Sequence, residues 1–389
     1  MKILHTVESY YPSVGGMQEV VKQLSERMVK LGHSVTVATK KNKDRKDKVI
    51  NGVEIKEFDI DGNLVRGITG DTDTYKEFLL SSNFDIVTNF AAQQWATDIA
   101  LPLLDKIKGK KVSVPTGYSA LGWPNYKDYF EKMKTWLKHY DANVFLSHNY
   151  RDINFALAQG VTKNFFIPNG AAEEEFLPES KKDIRTKLGI PKDAFLILHV
   201  GSYTGVKGHK EAMAIYLKSK IKNGVLLLVG HGNENFNNSL KNSKRFKLLN
   251  WLNGNRNKKY IICDLTREET VAAYKSADLF LFPSNIECSP IVLFESMAAH
   301  LPFLTTDVGN AKEIIEWSKG GELLPTIIDE EGYSRAEIDD SAKKLTEIYN
   351  NSQGRDELGR NGFTAWKNKF TWEIITKQYI QLYQDHLNN

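Results

Sequence analysis

Apolar residues recur along this chain in two rhythms. Short compact runs read as strands: "KILHTV" (2–7), "HSVTVAT" (33–39), "VEIKEF" (53–58), "FDIVTNF" (84–90), "KKVSVP" (110–115) and "ANVFLS" (142–147). Longer stretches between most of them place an apolar residue every three or four positions and read as helices. They include "MQEVVKQLSERMVKLG" (17–32), closed by Gly32, "QWATDIALPLLDKI" (94–107) and "KDYFEKMKTWLKHY" (127–140). Strands alternating with helices predict a parallel sheet covered on both faces.

The alternation pauses at "FFIPNGAAEEEFLPESKKDIRTKLGIPKD" (165–193), acidic then basic and carrying three prolines, which reads as the passage between domains. It then restarts. Strands are expected at "FLILHVG" (195–201), "GVLLLVG" (224–230), "KYIICDL" (259–265), "DLFLFPS" (278–284) and "PFLTTDVG" (302–309). Helices are expected at 209–219, 236–252, 267–277 and 290–300, and they fill the end of the chain. The expected fold class is α/β: two Rossmann-like, doubly wound domains in tandem, facing a cleft. Ligands of such sheets lie beyond the carboxyl ends of the strands.

At 389 residues, two domains are the default, and 41% hydrophobic with 26% charged residues is an ordinary globular composition. No apolar run approaches the ~20 residues that span a bilayer. The opening "MKILHTVESYY" reads as a strand rather than a signal-peptide core, and Cys263 and Cys288 are too few for a disulfide framework. A cytoplasmic, reducing setting is expected. Residues 1–170 hold 23 Lys+Arg against 19 Asp+Glu, whereas the remainder holds 29 of each. A positive first half suits an anionic acceptor, or peripheral contact with an anionic membrane on its inner face. A solvated basic loop such as "KKNKDRKDK" (40–48) explains the same excess. No nucleic-acid reader motif is present, and no cluster of residues suggests a metal.

Three loops carry candidate chemistry. "SYYPSVGGMQEVV" (9–21) follows the first strand, and Gly15–Gly16 at a helix start allow close approach of an anion; a plain strand-to-helix turn is the alternative. "HVGSYTGVKGHKEA" (199–212) sets Lys207 near a helix start, where dipoles normally favour acids, so a diphosphate partner suits it better than solvent. His209 beside it reads as exposed. "GHGNEN" (230–235) has only the first two glycines of a dinucleotide fingerprint, which is therefore not supported. In the third loop, "NIECSPIVLFESMAAH" (285–300), Pro290 suits the first turn of a helix. Glu287 then lies on the loop, Glu295 within the helix, and the N–H groups near Ile291 to Leu293 face outward. Plain capping and surface roles for the two glutamates are the alternative.

Taken in order, four segments resemble glycosyltransferase family 4, retaining enzymes of GT-B fold that use nucleotide-sugars. They are the glycine loop with its helix, "FFIPNGAAEEEFLP", "VGSYTGVKGH" and "ADLFLFPSNIECSPIVLFESMAAHLPFLTTDVGNAKEII". The resemblance covers nearly the whole chain, and its most specific element is the glutamate pair with seven residues between. It implies an N-terminal acceptor domain over 1–172, joined by a last helix at 371–389 that crosses back, and a donor domain over 173–370. It implies hexosyl transfer from a nucleotide-sugar to a saccharide or lipid-linked glycan, in polysaccharide or lipopolysaccharide biosynthesis, without metal or other cofactor.

The roles it implies fall on particular residues. Lys207 would neutralise charge on the leaving diphosphate, Glu287 would hold the donor sugar and Glu295 the ribose. Gly16, Gly201, Ser202, Leu265, Ser289, Pro290, Ile291 and Val292 would complete the donor site. Two positions depart from the family: Ser202 stands where arginine is common, and Thr116 or Gly117 where histidine is common. Lys210, Arg267 and His209 are candidates for the missing cation. On the acceptor side the expectation is Thr116, Gly117, Tyr118, Trp123 and Asn169, within an aromatic and basic segment that an amphipathic helix also explains. Other readings are a catalytically weakened binder of nucleotide-sugar or of a partner, and a nucleotide-sugar epimerase.

Overall fold

The computed structural model describes residues 1–232, 234–241, 243 and 258–388. They divide into two units: Met1–Asn169 with the chain from Trp372 onward, and Gly170–Thr371.

In the first unit the apolar runs form an eight-stranded sheet. Its order is Asn164–Phe166, Ala142–Phe145, Lys110–Val114, Ile86–Phe90, Lys2–Thr6, Ser34–Lys40, Val53–Phe58 and Val49–Ile50. All neighbours are parallel except the last pair. The order therefore reverses between Lys2–Thr6 and Ile86–Phe90. The helix Trp372–Leu387 belongs to this unit. Its stripe of Trp372, Ile375, Tyr379, Leu382 and Tyr383 is buried. The Tyr383 hydroxyl lies 2.7 Å from Thr88 Oγ1 and 3.4 Å from His5 Nε2, both on central strands. A hairpin, Ile60–Asn63 with Gly67–Gly70, stands beside the main sheet.

The second unit has a six-stranded, wholly parallel sheet. Its order is Lys259–Cys263, Gly224–Val229, Phe195–Val200, Leu279–Phe282, Phe303–Thr305 and Gly321–Leu323. "FLILHV" and "GVLLLV" are almost continuously buried, as strands covered on both faces must be. The order reverses between Phe195–Val200 and Leu279–Phe282, where Ile197 faces Leu279 and Leu198 faces Phe280.

The division between the units, Asn169 to Gly170, falls inside the stretch 165–193 that reads as the passage between domains, and the residues after it are packed. Ala171, Phe176, Ile184 and Ile190 enter the core of the second unit. Ala171 N–H donates to Phe370 O (3.0 Å), and Trp366 Nε1 donates to Ala171 O (3.1 Å). These bonds tie residues 170–172 to the second unit. Of the helix expected over 236–252, Glu234–Lys241 is helical, while 242 and 244–252 lie outside the described residues. Among the described residues, no helix is long and apolar enough to cross a membrane.

Candidate functional site

In the second unit the strand-order reversal brings two loops together at the carboxyl edge of the sheet, 201–208 and 283–290, where such folds bind ligands. Asn285 N–H donates to Val206 O (2.9 Å), and Ser284 Oγ lies 3.4 Å from the same oxygen. Gly208 has φ of +78°, and a Cβ there would lie 2.0 Å from Pro283 O. Only glycine permits that approach. Gly208 is the N-cap of the helix His209–Lys218, so Lys207 sits one residue before the cap rather than in the helix. The Lys207 ammonium reaches across to Glu287 Oε1 at 2.7 Å, and Ser284 Oγ donates to that oxygen at 2.8 Å.

The loop continues into the helix Ile291–Ala298, for which Pro290 is the N-cap, not the first helical residue. Leu293 N–H turns back to Pro290 O (3.1 Å), so it does not face outward as expected. Ile291 and Val292 are the first two helical residues, whose N–H groups have no acceptor within the helix. The far side of the loop is braced by Asn310, which donates from N to Cys288 O (2.8 Å) and from Nδ2 to Ser289 Oγ (3.2 Å).

Glu295 projects from this helix with its side chain only 4% exposed, and its Oε1 lies 2.6 Å from Arg267 Nη1. Arg267 turns its other edge to Glu175, with Nε at 3.1 and 3.2 Å and Nη2 at 2.5 Å from the carboxylate oxygens. The guanidinium also lies 5.9 Å from the Phe176 ring centre. Arg267 opens the helix Arg267–Ser276, capped by the reciprocal Thr266–Glu269 pair, just after buried Leu265. Tyr274 beside Glu295 is kept well above the usual phenol range, by burial first and by the carboxylate second.

His209 is buried, not exposed: its Nε2 lies 3.1 Å from Gly201 O, and its ring centre 4.4 Å from that of His199. Burial pulls His209 down to about 2 and His199 to about 4, so both are neutral near pH 7. Of the candidate cations, His209 is thus a neutral core group and Arg267 is bound by two carboxylates. Lys210 is exposed, and Ser202 sits in a turn where Thr204 N–H donates to its carbonyl (2.7 Å).

In the first unit, Gly16 begins the helix Gly16–Lys30, and a Cβ there would meet nothing within 4 Å. Among the described residues no atom comes close enough to exclude a side chain at that position. After strand Lys110–Val114, Thr116, Gly117 and Tyr118 all have left-handed φ: 59°, 103° and 48°. For a β-branched threonine this is strained. Asp152 holds the turn, accepting from Gly117 N–H (2.8 Å) and Ile153 N–H (2.9 Å), and burial pushes its carboxyl up to about 6. The neighbouring turn has Ala91 and Gln93 at φ of 60° and 63°. Gln93 N–H donates to Tyr129 Oη (3.1 Å), which donates to Asp98 Oδ1 (2.8 Å). Burial also raises Asp98 to about 6.

The expected acceptor aromatics divide. Tyr118 packs its ring against Phe130 and Phe155, with centres 5.2 and 5.7 Å apart, so it is a core side chain rather than a surface contact. Tyr126 and Tyr129 are buried with it, whereas Trp123 is 48% exposed. Asn169 is buried and is the last residue of the first unit before the crossing. Sequence reasoning missed Ser284, Glu175, Gln93 and Asp152. Arg267 carried a cue it did not use, since a cation in a first helical turn opposes the dipole.

Residues 180–364, just under half of the chain, match the family model described as "Glycosyl transferases group 1". That range contains Lys207, Arg267, Glu287 and Glu295. The capsular polysaccharide biosynthesis glycosyltransferase CapM of Staphylococcus aureus is 25% identical over 245 residues, 62% of this chain and 60% of that one. The chain spans 49% to 60% of the length of the first curated relatives it matches. Among solved structures, sucrose-phosphate synthase from Thermosynechococcus elongatus superposes with TM-score 0.76 at 18% identity, covering 99% of this chain and 98% of that one. Anabaena HepE, in complex with UDP-glucose, gives 0.73 at 15% identity, covering 99% and 100%. The fold is that of GT-B glycosyltransferases.

Proposed function

We propose, from the premise that residues 180–364 carry the group 1 glycosyl transferase pattern, that this chain is a retaining glycosyltransferase. It moves a hexosyl group from a nucleotide-sugar to a saccharide or lipid-linked glycan acceptor, in polysaccharide or lipopolysaccharide assembly. The observation that carries the reading is the 2.7 Å Lys207–Glu287 pair at the strand-order reversal, beside a helix N-terminus. CapM, named for capsular polysaccharide, and HepE, in complex with UDP-glucose, support the substrate classes.

On this reading Lys207 exchanges Glu287 for the donor diphosphate, and its charge, with the N–H groups of Ile291 and Val292, meets the negative charge that grows as the bond from sugar C1 to phosphate oxygen breaks. The acceptor hydroxyl bonds to C1 on the face being vacated, and its proton passes to the leaving phosphate oxygen. Glu287 holds sugar hydroxyls, and Glu295 holds the ribose. The positive first half suits an anionic acceptor or a peripheral membrane contact.

A second reading, a nucleotide-sugar binder without turnover, is favoured by Ser202 and by the unavailability of His209 as a replacement cation. A thermal-shift screen across UDP-, GDP- and ADP-sugars finds the donor. Nucleotide release that requires a saccharide acceptor, with the donor's anomeric configuration kept in the product, supports transfer; binding without release supports the second reading.

A further inference from the structure

Arg267 occupies a position that needs explaining. It is the first residue of a helix, where a cation opposes the dipole, yet its guanidinium is bound on both edges. Glu175 takes Nε and Nη2 as a fork, and Glu295 takes Nη1. The two carboxylates come from distant elements, the short helix Glu173–Phe176 and the helix Ile291–Ala298. A guanidinium is planar and its donors are fixed in direction, so a guanidinium fixed along one edge dictates the direction of whatever binds the other. Glu295 is buried and has three rotatable side-chain bonds, so its carboxylate plane is set by its partners.

We infer that Arg267 is a positioning residue for the donor's ribose: with Glu175 as its anchor, it orients the Glu295 carboxylate toward the 2′- and 3′-hydroxyls. The inference rests on the reading that Glu295 receives the ribose. It assigns Arg267 no contact with the diphosphate, since its donors are directed at Glu175 and Glu295, and it therefore leaves the place of Ser202 without a substitute from this side. A stabilising ion pair alone would predict something different. Losing it would lower stability and weaken every nucleotide alike, because an unpaired buried carboxylate disturbs the whole helix. Orientation predicts a loss confined to ligands that carry the hydroxyls.

The test measures dissociation constants by calorimetry for UDP, 2′-deoxy-UDP and 3′-deoxy-UDP, with the guanosine and adenosine sets in parallel. The full chain is used as wild type, Arg267→Met, Arg267→Lys and Glu175→Gln. The wild type should prefer the ribonucleotide by about tenfold or more, the value of a hydrogen bond to a charged group. Arg267→Met should lose that preference through weaker ribonucleotide binding, with the deoxy forms nearly unchanged. Arg267→Lys should restore part of it. Glu175→Gln leaves Glu295 paired and should lower the preference by less, which keeps the test decisive if Arg267→Met does not fold. An Arg267→Met protein with the wild-type preference, or with equal losses for all three nucleotides, overturns the positioning role. So does tighter UDP binding in that variant, which would make Arg267 a competitor of the ribose. A wild type that binds the ribonucleotide and its deoxy forms equally overturns instead the reading of Glu295 as the ribose ligand, and one that binds none of the three base series overturns the reading that this site takes a nucleotide donor.

Discussion

Lys207 and Glu287, eighty residues apart in sequence, are joined by a 2.7 Å ion pair between two loops that one strand-order reversal sets side by side. The pair keeps each group satisfied and aimed before a ligand arrives. Its consequence for the proposed reaction is a division of labour. Replacing Lys207 with alanine should lower kcat by about 100- to 1,000-fold, the usual cost of removing one donor from a developing negative charge. The donor KM should change far less. A variant with wild-type kcat on the identified donor would remove Lys207 from the reaction.

Glu295 should behave in the opposite way. Its carboxylate is paired with Arg267 at 2.6 Å and, on the proposed reading, receives the ribose rather than the breaking bond. Glu295→Ala should raise donor KM by about 10- to 100-fold, because hydrogen bonds to a charged group carry ~1.5–3 kcal/mol. Inhibition by the free nucleoside diphosphate should weaken in parallel. Steady-state kinetics with product inhibition checks this, and a pure kcat effect would contradict it.

Gly208→Ala isolates the scaffold from the chemistry. Its φ of +78° and the 2.0 Å approach of a Cβ to Pro283 O leave no room for a methyl group. A loss of about 1–3 kcal/mol in unfolding free energy is expected, with lower activity as Lys207 shifts. Urea denaturation at full length measures it, and an unchanged midpoint would mean that the two loops separate at no cost.

How much of this was legible in the sequence depends on how far each cue reaches. The strands FLILHV, GVLLLV and LFLF were readable because burial on both faces makes them continuous apolar runs. Lys207, Glu287 and Glu295 stood at strand ends and a helix start, which local pattern locates. The passage between the units was legible at 165–193, but the packing of its later part was not, because the core contacts are single apolar residues, Phe176, Ile184 and Ile190, scattered among charges with no period. His209 looked like a polar helix start, and its burial depends on Gly201 and His199 across the strand end. Glu175 offers no local signal, since its meaning comes from Arg267, ninety-two residues later.

The buried acids of the first unit predict a pH signature. Asp98 and Asp152 are raised to about 6, mainly by burial, against an ordinary value of 3.8. The folded state then holds protons that the unfolded chain has released between about pH 4 and 6. Their contribution to stability therefore falls as pH rises through that window and levels off above it. Neutral buried histidines such as His5 act in the opposite direction, so the signature lies in the difference from wild type. Asp98→Asn and Asp152→Asn should each gain stability relative to wild type as pH rises from 4 to 6. Parallel stability curves for wild type and variants would contradict the assignment.

Tyr118 and Trp123 separate packing from acceptor contact in the same segment. Tyr118 is fully buried against Phe130 and Phe155 at the end of a left-handed turn. Tyr118→Ala should cost about 3–5 kcal/mol, as large aromatic truncations in cores do. Trp123 is 48% exposed, with one edge-on partner in Tyr126 at 6.2 Å, so Trp123→Ala should leave stability within ~1 kcal/mol. An exposed indole that is not needed for folding is suited to stacking on a sugar ring or lying near a lipid headgroup. Trp123→Ala combined with Lys134→Ala, which removes a cation held by Glu131 at 2.7 Å, should therefore raise acceptor KM or weaken binding to anionic liposomes at unchanged donor affinity. If acceptor turnover and liposome binding both stay at wild-type levels, the acceptor side lies elsewhere on the unit, and the strained turns at Gln93 and Thr116 become the next place to look.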